Sequence, residues 1–84
     1  MKHFRTKPFK KMYAQLPLEI QKTADKNFAL LKQNPKHPSL HFKHIRESIW
    51  SARVGINYRA LARQTADGFQ WFWIGPHDPY TQML

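Results

Sequence analysis

The stretch Trp50–Gly75, WSARVGINYRALARQTADGFQWFWIG, narrows the possible folds more than any other part of the chain. It contains three segments of period-2 character, the pattern of half-buried strands. The first, Trp50–Val54, places Trp50, Ala52 and Val54 on one face and Ser51 and Arg53 on the other. The second, Asn57–Arg63, places Tyr58, Ala60 and Ala62 on one face and Asn57, Arg59, Leu61 and Arg63 on the other. The third, Phe69–Ile74, is apolar on both faces apart from Gln70, as a central strand covered on both sides would be. Gly55-Ile56 is short enough for a tight hairpin turn, and Asp67-Gly68 is a strong turn signal. These segments predict an antiparallel meander with one apolar face and a second face bearing Arg53, Arg59 and Arg63.

The residues before the meander predict helices and one further strand. Met1–Lys7 is basic, with an edge strand expected through His3, Phe4 and Arg5. Thr6 suits a helix N-cap with Pro8 in the first turn, where a missing N–H is tolerated. Phe9, Met12, Tyr13 and Leu16 then recur at helical spacing until Pro17, which can open a second helix over Leu18–Gln33. Ile20, Ala24, Phe28 and Leu31 form the apolar stripe of that helix, opposite Glu19, Lys22, Asp25, Lys26 and Lys32. Asn34 suits a left-handed helix end, and Pro35 and Pro38 prevent continuation. Ser39–Ile45 alternates again and predicts the first strand of the main sheet, with Leu40 and Phe42 inward and His41, Lys43 and Ile45 outward. The chain is expected to break after Ile74, at Gly75-Pro76. The expected fold is α+β, an N-terminal helical hairpin packed on one face of a small antiparallel β-sheet. Residues 1–84 are expected to form a single domain.

Composition limits the chemistry. The 84 residues contain six Phe, three Trp and three Tyr, the material for a small aromatic core. No cysteine is present, so disulfides and thiolate metal sites are excluded, in keeping with a cytoplasmic location. No apolar run approaches the roughly 20 residues that span a bilayer, and the basic start lacks the apolar core of a signal peptide, so no membrane partner is expected. The formal net charge is +9. Residues 1–46 hold eleven Lys and Arg against two acids, and residues 47–84 hold three against three. Such an excess favours polyanions or an acidic protein, although solvated helix faces would also carry lysines.

Several chemistries can be set aside. His37, His41 and His44 are close in sequence, but their spacing does not converge three imidazoles on one metal, and no carboxylate or thiolate completes a set. With three glycines in the chain there is no phosphate loop, and Ser39, Ser48 and Ser51 lack a nucleophile elbow. Glu47, Asp67 and Asp78 fall in turns or the tail, which does not suit a paired-carboxylate hydrolase. What remains is a basic face. Lys43, Arg53 and Arg59 are expected to project opposite the helices, with His77 and Tyr80 following the last strand. Guanidinium and ammonium groups on one face suit a phosphodiester. Without a metal or cofactor, RNA cleavage needs a base for the 2′-hydroxyl, cations at the phosphate and an acid at the 5′-oxygen. Arg53 and Arg59 fit the second role, His77 fits acid–base work, and Tyr80 fits stacking or phosphate orientation. Lys43, His41 and Arg63 are candidate RNA contacts. Arg53 also reads as a solvated sheet residue, Arg59 as an ion-pair partner of Glu47 or Asp78, and His77 as a loop residue.

The runs HPSLHFK (37–43), WSARVG (50–55), NYRALA (57–62) and GFQWFWIGPHD (68–78) together resemble the RelE/ParE superfamily of toxins from bacterial type II toxin–antitoxin systems. The likeness is to the branch with HPSL-x-FK, WS-x-RV, YRAL and WFWIG-x-H motifs, and LPLEIQ and ALLKQNP extend it over most of the chain. It implies two helices on an antiparallel sheet and an acidic antitoxin that masks the basic face. RelE-like members are mRNA interferases, many cutting messages on the ribosome, whereas ParE-like members poison DNA gyrase. Arg53 and Arg59 match the family's arginines on the two middle strands, His77 a C-terminal histidine, and Tyr80 a C-terminal tyrosine. Lys43 falls where several members have a basic residue. Pro79 and Thr81 stand where acidic residues are common, and the catalytic glutamate of some members has no counterpart. The resemblance therefore implies an endoribonuclease toxin, a gyrase-binding inhibitor, or a toxin that binds antitoxin or RNA without cutting.

Overall fold

The computed structural model describes residues 2–78. The elements in order are β1 (Lys2–Arg5), α1 (Lys7–Ala14), α2 (Leu18–Gln33), a 3-10 turn (Pro38–Leu40), β2 (Lys43–Arg46), β3 (Ile49–Val54), β4 (Tyr58–Thr65) and β5 (Gly68–Pro76). The five strands form one sheet in the order β1-β5-β4-β3-β2. The meander β2–β5 is antiparallel, as its alternation predicts. β1 is the edge strand expected through His3, Phe4 and Arg5, but it joins β5 in parallel, so the sheet is mixed and the helices follow a strand. The expected N-terminal hairpin on a purely antiparallel sheet is corrected in both respects.

Local chemistry sets the helix limits. The Thr6 hydroxyl accepts the Phe9 N–H at 3.2 Å, and Pro8 occupies the first turn of α1. Gln21 caps the other end across the helix junction, its Nε2 donating to the carbonyls of Tyr13 (3.1 Å) and Leu16 (3.2 Å). Pro17 then opens α2. At its far end Asn34 has φ −150° and ψ 84°, not the left-handed cap its identity suggests. Asn34 N–H instead closes on the Leu30 carbonyl at 2.7 Å, and Pro35 prevents further turns. The strand expected from Ser39 begins only at Lys43. Pro38 starts a 3-10 turn that buries Leu40, and His41 reverses the chain in left-handed backbone. The first hairpin loop is Gly55–Asn57, since Val54 still pairs with Tyr58. The second turn is Ala66-Asp67, with Gly68 already in β5. β5 also runs on through Gly75-Pro76 instead of breaking there.

The core lies between the helices and one sheet face. α1 packs on β5 and α2 over β3, and the described core includes Phe9, Leu31, Leu40, Ala52, Val54, Ala60, Ala62, Phe69, Trp71 and Ile74. Alanines at 52, 60 and 62 leave room for rings from neighbouring elements. Phe69, 2% exposed, is the hub. It stacks on His3 at 5.8 Å and meets Phe42 at 5.1 Å and Trp50 at 5.4 Å edge-on.

Two features of β5 escape simple alternation. Leu61 pairs with Trp73 but Ala62 with Trp71, so Phe72 is an extra residue. That bulge sends Trp73 to the face away from the helices and brings Ile74 to the core, whereas unbroken alternation would keep both tryptophans together. Trp73 is half-buried, not a core residue. Gly68 is required by close approach: a Cβ there would lie 1.9 Å from the Lys2 carbonyl oxygen. Its lack of a side chain lets β1 dock.

His3 gives this docking a pH dependence. Trp71 Nε1–H donates to His3 Nδ1 at 3.1 Å, so the ring is neutral with its proton on Nε2. Burial, then the nearby Lys32 ammonium, lower its pKa from the ordinary 6.5. The folded chain therefore takes up this proton less readily than the unfolded chain. The resulting stability is fully present above the unfolded value of 6.5 and is lost as pH falls below it toward the folded value. Urea midpoints at about pH 7.5 and about pH 5.5 should fall further for wild type than for His3→Gln. Equal decreases would remove His3 as the cause.

Candidate functional site

The sheet face away from the helices presents the basic residues at successive register positions. Arg53 on β3 and Arg59 on β4 are direct cross-strand partners, and Lys43 on β2 pairs with Ser51. His77 leaves the end of β5, with its N–H on the Asn57 carbonyl at 2.7 Å. His41, Lys43, Ser51, Arg53, Arg59 and His77 line one cleft of roughly 110 Å³. A second recess, lined by Ile56, Asn57, Pro76 and Asp78, shares Arg59 and His77 with the first. The two together form a furrow at the β3–β4 hairpin end of the sheet.

Each arginine is positioned by the fold. The Arg53 carbonyl accepts Asn27 Nδ2 from α2 at 3.1 Å, which ties the end of β3 to the helix layer. Arg53 Nε is buried and has no hydrogen-bond partner among the described residues. Arg59 Nη1 donates to the carbonyls of Tyr58 (2.7 Å) and Ile56 (3.1 Å), which fixes its guanidinium against the hairpin. Opposite Arg59 stands Gly75, whose missing side chain lets the Trp73 indole lie over it: a Cβ there would be 2.9 Å from the ring. Like charges directly across a ladder destabilise a sheet by up to about 1 kcal/mol. Arg53 and Arg59 face each other with Lys43 lining the same cleft, which concentrates positive charge there, and Asp78 lines the adjoining recess with Arg59 and His77. His77 Nδ1 lies 3.9 Å from the Asp78 carboxylate, so a protonated ring has a partner.

Five of the seven residues selected from sequence meet in this cleft. Arg63 does not: it lies on the same face toward the other end of β4, exposed, with its guanidinium 5.6 Å from the Phe72 ring. Tyr80 lies outside the described residues. Ser51, 2% exposed, is an addition, and its alternation with Arg53 was the signal that places it there. The histidine run separates by role. His37 Nδ1 accepts the Ser39 N–H at 3.2 Å and so caps the 3-10 turn, and His44 Nε2 hydrogen-bonds with the Glu47 carbonyl. His41 alone of the three lines the cleft. Among the described residues no group of histidines and carboxylates is placed to hold a metal ion, and no helix is long and apolar enough to cross a membrane.

A two-helix layer covers one face of a mixed five-stranded sheet and a basic furrow lies on the other, which makes this a small α+β protein. The ParE-like toxin domain matches residues 18–82, and the chain belongs to that family, within the RelE/ParE superfamily of toxins. No curated protein matches it. The toxin–antitoxin complex RelB–RelE from Methanococcus jannaschii contains a similar fold, at 18% identity over 96% of this chain and 98% of that one, with a TM-score of 0.75. The RelBE2 complex from Mycobacterium tuberculosis is similar at 21% identity over 89% and 95%, with a TM-score of 0.70. The YoeB/ParE toxin from Agrobacterium tumefaciens is similar at 16% identity over 84% and 90%, with a TM-score of 0.63.

Proposed function

We propose that this chain is the toxin of a type II toxin–antitoxin pair and an endoribonuclease that cleaves messenger RNA, on the ribosome, so that translation stops. The observation that supports this reading is the meeting of Arg53, Arg59, Lys43 and His77 in one cleft. Attack of a 2′-hydroxyl on the adjacent phosphorus builds negative charge on the non-bridging oxygens. Fixed guanidinium donors are suited to that charge, because they need not reorganise as it develops. Lys43 and, beyond the cleft, Arg63 hold flanking phosphates, His77 takes part in proton transfer, and Tyr80 stacks on a base or orients the phosphate. The +9 charge suits both ribosomal RNA and an acidic antitoxin, and two of the similar folds were solved in complex with an antitoxin.

The experiment is primer extension on a reporter message before and after induction, with His77→Ala as control. Wild type is expected to produce cuts on translated message that vanish in the control, while the variant stays folded and still binds antitoxin. The ParE-like family match favours a second reading, inhibition of DNA gyrase by binding. Intact message with halted growth and DNA-damage signalling, indifferent to loss of His77, would replace the first reading with the second. Intact message with normal growth would leave a binding protein.

A further inference from the structure

Two imidazoles line the cleft, and the reaction has two proton transfers. His41 is exposed and sits in left-handed backbone, φ 43° and ψ 41°, at the corner between the 3-10 turn and β2. A non-glycine residue held there is strained by roughly 1–3 kcal/mol, and such strain gathers at functional sites. The turn fixes the corner from behind: Leu40 is buried at 1% exposure, and the His41 N–H reaches the Pro38 carbonyl at 3.3 Å. His41 is thereby placed on the cleft rim.

Strand order sets the spatial relation of the two rings. Across the sheet the sequence is β5, β4, β3, β2, so His77, Arg59, Arg53 and His41 follow one another along the furrow. His77 follows β5 and His41 precedes β2, so the two histidines stand at opposite ends of the strand order, with Arg59 and Arg53 on the strands between them. An in-line displacement at phosphorus needs this disposition, because the entering 2′-oxygen and the leaving 5′-oxygen lie on opposite sides of the phosphorus.

We propose that His41 is the general base of this site and His77 its general acid, an inference that rests on the ribonuclease reading above. Neutral His41 takes the proton from the 2′-hydroxyl as the O2′–P bond forms. The P–O5′ bond breaks, and the imidazolium of His77 gives its proton to the departing 5′-oxygen. The products are a 2′,3′-cyclic phosphate and a 5′-hydroxyl, with His41 protonated and His77 neutral, and exchange with water restores both. Asp78 beside His77 Nδ1 is the partner that a protonated ring requires. His41 shares its rim with Lys43, and the charged groups lining the cleft with it are Lys43, Arg53, Arg59 and His77.

The test uses the full chain on ribosomes programmed with a synthetic message, under single turnover. Wild type should give a bell-shaped rate profile with pH. His41→Asn, chosen because asparagine accepts left-handed backbone, and His77→Gln should each slow cleavage by roughly 10²- to 10⁴-fold. His41→Asn should lose the ascending limb and His77→Gln the descending one. A message carrying sulfur in place of the bridging 5′-oxygen has a leaving group that needs no acid. It should restore His77→Gln to near the wild-type rate and leave His41→Asn slow. Rescue of His41→Asn, or a His41→Asn rate within about threefold of wild type, would overturn the assignment. Wild type leaving both messages intact would overturn the ribonuclease reading itself.

Discussion

Arg59→Lys is expected to lower the single-turnover rate of message cleavage by roughly 10²- to 10³-fold while leaving the protein folded and able to bind its antitoxin. Lysine keeps the positive charge, so the substitution separates charge from geometry. Arg59 uses Nη1 to bind the carbonyls of Tyr58 and Ile56, and that tether fixes the plane of the guanidinium. On the ribonuclease reading, its remaining donors meet a phosphate in a set direction before the reaction begins. A lysine ammonium on a flexible stem can reach the same carbonyls but presents no rigid fork. The measurement is cleavage rate at saturating toxin, alongside circular dichroism and a thermal melt. A rate within about fivefold of wild type would mean that charge alone suffices at this position, and the preorganised-guanidinium argument would fail.

The features that place Arg59 were partly legible in the chain. The basic face follows from period-2 alternation, because Arg53 and Arg59 are offset by an even number of residues from their strand neighbours and pair across a short hairpin. The limits of α2 follow from its punctuation, Pro17 before it and Asn34-Pro35 after it. Thr6 was legible as a cap for the same reason: its hydroxyl sits three residues before the first donor it can accept.

Other features depend on tertiary contact that no local pattern records. Lys2–Arg5 carries no sign of its partner, and Gly68, which reads as a turn glycine, clears space for the Lys2 carbonyl instead. The Phe72 bulge is set by how β4 and β5 register, so the exchange of faces between Trp73 and Ile74 cannot be seen in an apolar run. The strand expected from Ser39 failed because Leu40 is buried from a 3-10 turn; a buried leucine at even spacing imitates a strand. That same departure puts His41 on the cleft rim. The local misreading and the candidate base have one physical origin.

Phe69→Ala is expected to destabilise the fold by about 3–5 kcal/mol. The side chain is 2% exposed and touches rings from three elements: His3 on β1, Phe42 at the start of the meander and Trp50 on β3. Its removal leaves a cavity that those rings cannot jointly fill, since His3 and Trp50 are fixed by their strands and Phe42 by the junction between the 3-10 turn and β2. His3 also loses its stacking partner, which weakens the docking of β1 beside Gly68. Small domains have roughly 0.05–0.15 kcal/mol of stability per residue, so the loss consumes much of the total for a chain of this length. In a melt the midpoint should fall by on the order of 12–40 °C, at about 4–8 °C per kcal/mol. Phe69→Leu, which keeps most of the volume, should retain a cooperative transition at an intermediate temperature. Toxicity lost in Phe69→Ala should return as the growth temperature is lowered, which Arg59→Lys should not show, because the first variant lacks folded protein and the second lacks only the fork. A Phe69→Ala midpoint within about 4 °C of wild type would mean that the helices alone hold the sheet together, and the aromatic hub would not be the source of the site's rigidity.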